Sequence, residues 1–232
     1  LAGDIRSRLS PEFDPIDSLG DLAECLGVIW FVENLGGASD GPCIELSDDD
    51  RFRAGVADID GTQDPGRRRW SLAHELGHFV VGDAYASDQR AGDIEQMIDA
   101  FVAYLLMPRA GCQRLWNDHS DEGARRVALA ISARFGTSWT AACSHLRNIG
   151  LITKTQLEPL KNDRPTRGDY LVSGESWAPD LEPPGVPTRY TSAVLGAFQK
   201  GLIATERTLE LLRGTVERLD LPKRHPVASG SY

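Results

Sequence analysis

The sequence predicts an α+β fold in which a helix and a small β-sheet precede a mostly helical remainder. Three observations carry this expectation. β-Branched and aromatic runs cluster before residue 60, apolar residues recur at helical spacing from residue 71 onward, and turn residues fall where the period changes. Apolar residues make up 41% of the 232 and charged residues 25%, a balance that supports a packed core and speaks against disorder.

Pro15-Ile16-Asp17, followed by Leu19, Leu22, Ala23 and Leu26, predicts a short amphipathic helix ending at Gly27. Val28-Ile29-Trp30-Phe31-Val32 predicts a strand, with weaker strands at 42–46 and 54–59 around the acidic turn Asp48-Asp49-Asp50. Asp64-Pro65-Gly66 reads as a break, after which Ser71 is the expected N-cap of a helix running to Val81 and closed by Gly82. Further helices are expected at 93–107, 109–116, 122–135 and 138–148. Four prolines and little apolar periodicity make 172–189 a predicted linker, before helices at 190–200 and 204–219.

In domain terms the expectation is 1–108 for the first domain, 109–160 for a helix-turn-helix-like segment, 161–189 for a linker and 190–232 for a C-terminal helical appendage. The four cysteines contain no C-x-x-C pair and are expected to be reduced, with Cys25 and Cys143 as small core residues. No apolar run reaches the ~20 residues needed to span a bilayer, and the first ten residues lack a signal-peptide pattern, so a cytoplasmic location and no membrane partner are expected.

Charge is uneven. The formal net charge is -9, with 8 basic against 21 acidic residues in 1–107, 8 against 4 in 108–161, and 9 of each thereafter. The balance excludes a surface built wholly for nucleic acid. The acidic first half suits a basic partner.

His74-Glu75-Leu76-Gly77-His78 is the most informative stretch. On a helix, residues four apart lie ~40° apart around the axis, so both imidazoles leave one face and can bind one metal ion. Glu75 sits ~100° from His74 and ~60° from His78, beside the metal, where a carboxylate can take a proton from metal-bound water. Leu72, Leu76, Phe79 and Val80 form the opposing apolar stripe.

A catalytic zinc site needs a third protein ligand. Glu95, on the next helix and able to return antiparallel, ranks first, and His119, Asp83, Asp88 and Asp93 are its rivals. Asp99, four residues beyond Glu95 on the same face, can hydrogen-bond the distal nitrogen of a ligating histidine. The expected cofactor is Zn2+, with Mn2+ the alternative. Tyr104 is expected to point away, and Tyr85 and His145 are the remaining side chains considered for supporting an oxyanion.

The run Arg69-Trp70-Ser71-Leu72-Ala73-His74-Glu75-Leu76-Gly77-His78, then Glu95-x-x-x-Asp99-x-Phe101 and Leu105-Leu106-Met107-Pro108, resembles the ImmA/IrrE family of metallo-endopeptidases. The resemblance continues through Phe135-Gly136-Thr137-Ser138 to Ile152. It departs at Met97 and Ile98, where many members carry a glutamate and an alanine. It implies a gluzincin-like (zincin-like) core with metal-binding helices, then a helix-turn-helix-like segment. It also implies zinc ligation by His74, His78 and Glu95, catalysis by Glu75, and cleavage of a DNA-binding repressor controlling mobile-element, toxin-antitoxin or stress-response genes. The competing expectation is a non-catalytic binding module. There the 122–148 helices, with Arg125, Arg126, Arg134 and Arg147, contact a repressor or, weakly, DNA, and the metal site only senses or stabilises.

Overall fold

The computed structural model describes residues 1–7, 13–36, 41–48, 52–82, 91–174 and 179–225. The chain is α+β. Helices α1 (Ala2–Ser7) and α2 (Leu19–Cys25) lead into strands β1 (Val28–Glu33), β2 (Gly41–Asp48) and β3 (Phe52–Asp60). Among the described residues nine helices follow: α3 (Pro65–Val81), α4 (Ala91–Leu106), α5 (Arg109–His119), α6 (Ala124–Phe135), α7 (Trp139–Asn148), α8 (Lys154–Asn162), α9 (Arg167–Ser173), α10 (Thr188–Gln199) and α11 (Thr205–Leu211).

The sheet has the order β1-β3-β2. β1 lies parallel to β3, with Val28 opposite Gly55 and Val32 opposite Ile59, while β2 and β3 form an antiparallel pair. Val28, Val32, Ala57 and Ile59 are fully buried, and they meet the apolar stripe of α3 formed by Leu72, Ala73 and Leu76. The outer edge of β1 is closed by Gly185, which exchanges two backbone hydrogen bonds with Val32 at 2.9 and 3.0 Å. A paired edge does not attract another chain.

Helix α3 begins two turns earlier than the sequence suggests. Asp64 is its N-cap residue and Pro65 its first residue, so Asp64-Pro65-Gly66 is a start and Ser71 is a buried position inside the helix. Proline suits a first turn because its missing N–H would have no partner there. Gly82 closes the helix at φ 74°, donating its N–H to the His78 carbonyl at 2.9 Å.

The described residues of the segment expected as a linker, 161–189, make contacts with the preceding elements. They include α9, and Asp180 and Glu182 reach back to α3. Arg69, 2% exposed, pairs with Asp180 at 2.7 Å and donates to the Ile16 carbonyl at 2.9 Å. Asp180 also accepts from the first N–H of α2 at 2.6 Å. One buried ion pair thus joins α2, α3 and a segment more than a hundred residues away. Removing one partner from such a pair costs about 3–5 kcal/mol, because the other charge is left buried.

The C-terminal helices also pack on the sheet. Arg213 pairs with Glu33 and Asp58 at 3.0 and 2.5 Å and lies over the Phe31 ring, and Glu24 accepts from the first N–H groups of α10. Helix α11 stops at Leu211, short of the expected 219, because Arg213 and Gly214 turn the backbone to positive φ. Cys25 ends α2 facing outward, which corrects its expected place in the core. Cys112 and Cys143 are fully buried, and burial pushes both thiols up to about 12. Cys43 carries no described side chain.

Helices α6 and α7 form the expected helix-turn-helix pair. Gly136 caps α6 at φ 60°, and the Ser138 side chain accepts from the Ala141 N–H to start α7. His145 on α7 is 1% exposed and packs edge-on against Tyr104 at 5.1 Å. Burial pushes its pKa down to about 4; the Met107 carbonyl offsets this only in part, and neither ring nitrogen has a partner at hydrogen-bond geometry. A neutral histidine in the core destabilises the fold only once the unfolded chain binds the proton. Stability is therefore complete above pH 6.5 and falls by about 3 kcal/mol as pH drops to 4. Urea unfolding at pH 7 and at pH 4.5 checks this: the His145→Leu variant is expected to lose much less stability between the two than the parent.

Candidate metal centre

Helices α3 and α4 bring the predicted donors together. His74 and His78 stand one turn apart on the face of α3 turned away from the sheet, and α4 returns past them carrying Glu95 and Asp99. The approach is close because position 77 is glycine. A Cβ there would lie 3.0 Å from the Ile98 side chain and 3.1 Å from Phe101, tighter than ordinary packing allows. Glycine inside a helix costs about 0.5–1 kcal/mol relative to alanine, and here it lets the α4 side chains seat directly on the α3 backbone.

His74 Nε2 and His78 Nε2 are 3.0 Å apart, Glu95 Oε2 lies 3.3 Å from His74 Nε2, and Glu95 Oε1 lies 3.5 Å from His78 Nε2. One ligand atom from each residue falls within 4.8 Å of the others. A tetrahedral ion with ligands at ~2.0–2.1 Å spaces them ~3.3 Å apart, so two imidazoles and a carboxylate at these distances fit a divalent metal. Both histidines converge through Nε2. His74 Nδ1 faces Asp99 Oδ1 at 3.7 Å, which is close enough for charge to act but longer than a direct hydrogen bond.

His74 titrates below its ordinary value. Partial burial is the main cause and the neighbouring His78 the second; Glu95 and Asp99 oppose them. The neutral imidazole that a metal requires is thereby favoured. Glu75 is 9% exposed, next to His74 on α3.

Of the rival ligands, His119 pairs with Glu122 at 2.8 Å, and Asp93 is not among the three grouped donors. Asp83, Asp88 and Tyr85 lie outside the described residues. Tyr104 turns toward His145, as expected from its place on α4. Sequence reasoning missed Arg67. It lies two turns before His74 on the same face of α3, and its charge bears on His74. The 67, 74, 78 spacing, within ~40° around the axis, was the available signal.

The donor set is one that could hold a metal ion. Residues 46–147 match the family model of Peptidase_M78, described as the IrrE N-terminal-like domain. No curated protein matches the chain.

If the glycine sets the spacing of the donors, a larger residue should open it. Gly77→Val is expected to destabilise the fold by about 1–3 kcal/mol, as overpacked cores do. It should also weaken zinc binding at least tenfold, read by competition with a chromogenic chelator. Ser144→Val, on α7, is expected to leave zinc affinity unchanged.

Proposed function

We propose that the chain is a zinc-dependent endopeptidase that cleaves a DNA-binding transcriptional repressor or a similar regulator protein, in the cytoplasm, in mobile-element, toxin-antitoxin or stress-response control. The observation that carries the reading is the convergence of His74, His78 and Glu95 at the edge lengths of a tetrahedral site. The peptidase family of residues 46–147 supports it. Two nitrogens and one carboxylate oxygen suit zinc, with manganese the alternative.

When bound, such an ion acts as a Lewis acid that makes water acidic near neutral pH and polarises a carbonyl. The protein's residues supply the rest. His74, His78 and Glu95 would hold the ion, and Asp99, on the Nδ1 side of His74, would help keep the Nε2 lone pair directed at it. A carboxylate oxygen of Glu75 takes a proton from the attacking water and passes it to the amide nitrogen that leaves.

The alternative, a binding module using the α6–α7 pair on DNA, is less well supported. Arg125 pairs with Asp163 and Asp169, Arg126 with Glu122 and the Ser173 carbonyl, and Arg134 with Asp14. Three of the four arginines expected to meet phosphates thus hold the fold together. Arg147 is exposed.

The test incubates the protein with the repressor encoded beside it, with and without chelator, and repeats the assay with Glu75→Gln. Chelator is expected to abolish cleavage. Glu75→Gln is expected to lower turnover ~10²–10⁴-fold while retaining one metal per chain. Cleavage that persists in both conditions contradicts the reading; an intact repressor bound equally by all samples supports the binding module.

A further inference from the structure

Beside the metal centre the surface carries two adjoining cavities. The first, of about 630 Å³, is bounded by Asp99 and Trp70 on one side and by Ser144 and His145 of α7 on the other. The second, of about 590 Å³, is lined by Arg67, Arg164 and Arg167, with Trp139 and Tyr170 among its apolar surface. Arg67, Ser138 and Thr140 line both, so the second cavity continues the first.

The three arginines are exposed, and none has a carboxylate within ion-pairing distance among the described residues; the only side-chain partner of Arg67 is the neutral Gln63 amide. The local acids are engaged elsewhere. Asp163 and Asp169, which flank Arg164 and Arg167 in the chain, both pair with Arg125, and Asp169 also accepts from the Thr166 N–H. Among the described residues, Asp64 is the one carboxylate lining the cavity. The N-terminal turns of α3 and α7 open on the same space and add partial positive charge. An anion is the complement to this lining.

Distance says which anion. Arg67 stands seven residues before His74 on one helix face, a rise of ~10 Å. An extended peptide advances ~3.3 Å per residue, so a chain crossing the metal centre reaches Arg67 about three residues away and the other two arginines a little later. We propose that the second cavity is a subsite for a carboxylate side chain of the peptide substrate, three to five residues from the scissile bond. Guanidinium groups grip carboxylates through paired hydrogen bonds, and the aromatic lining accommodates the methylene stem. The helix-turn-helix-like segment then serves as a wall of the substrate cleft, with the turn before α7 at the junction of the two cavities. This assignment rests on the peptidase reading above and gives that site a substrate preference.

A degenerate peptide library digested by the zinc-loaded protein, with product termini read by mass spectrometry, tests it. Asp and Glu are expected to be enriched about five- to tenfold over Asn and Gln at one position three to five residues from the cut. The Arg164→Gln/Arg167→Gln double variant, altered only on exposed side chains, is expected to bring that ratio close to one. The same library is captured on zinc-loaded Glu75→Gln protein, so that binding is read without turnover. If the parent cleaves nothing while Glu75→Gln protein still selects acidic peptides through Arg164 and Arg167, the peptidase reading falls and the subsite stands. No acidic preference in either arm, or one that survives the double variant, overturns the subsite. Equal peptide capture accompanied by tight binding of inorganic phosphate also overturns it, assigning the cavity to a free phosphate instead.

Discussion

The spacing of α3 and α4 sets everything at the metal centre. Zinc ligation tolerates errors of only a few tenths of an ångström, yet the donors come from two separate helices. Gly77 removes the side chain that would hold the helices apart, and Ile98 and Phe101 fill the space. With the helices seated this way, one turn of α3 delivers two imidazoles and one face of α4 delivers Glu95 and Asp99. The same contact buries Leu76 and Ile98 completely, so the geometry of the site and the cohesion of the core come from one interface.

The rest of the fold holds α3 still. Its apolar stripe lies on the sheet, and near its start Arg69 is locked to Asp180 and to the Ile16 carbonyl. Arg68, one residue earlier, pairs with Glu182 at 2.8 Å and donates to the Gln63 carbonyl at 2.7 Å. The segment around 180–185 thus clasps α3 through two arginines and then closes the edge of β1. A metal-binding helix fixed at its N-terminal turns and along its buried stripe presents its polar face in a constant place, which is what a preorganised site requires.

The metal ligands were legible because their spacing is local. Two histidines four apart on a helix share a face whatever the rest of the chain does, and Glu95 follows from the single reversal that brings α4 back. The strands were legible from the same kind of local signal at 28–32 and 54–59. Other features had no local trace. The first turns of α3 hid behind Asp64-Pro65-Gly66, which the sequence offers equally as a stop or a start. Helix α8 was obscured by Pro159, and α9 by its seven-residue length. The ion pairs of Arg68 and Arg69 join residues more than a hundred positions apart, so nothing near Asp180 or Glu182 distinguishes a clasp from a linker. The arginine-lined cavity likewise exists only where α3, α7 and α9 meet.

The proposed metal centre requires His74, His78 and Glu95 to act together on one ion. X-ray absorption at the zinc edge of the reconstituted protein measures this most directly. The predicted result is one zinc per chain with two imidazole nitrogens and carboxylate and water oxygens at ~2.0–2.2 Å, losing an oxygen neighbour in Glu95→Gln. A zinc environment unchanged by Glu95→Gln, or one containing sulfur, would contradict it.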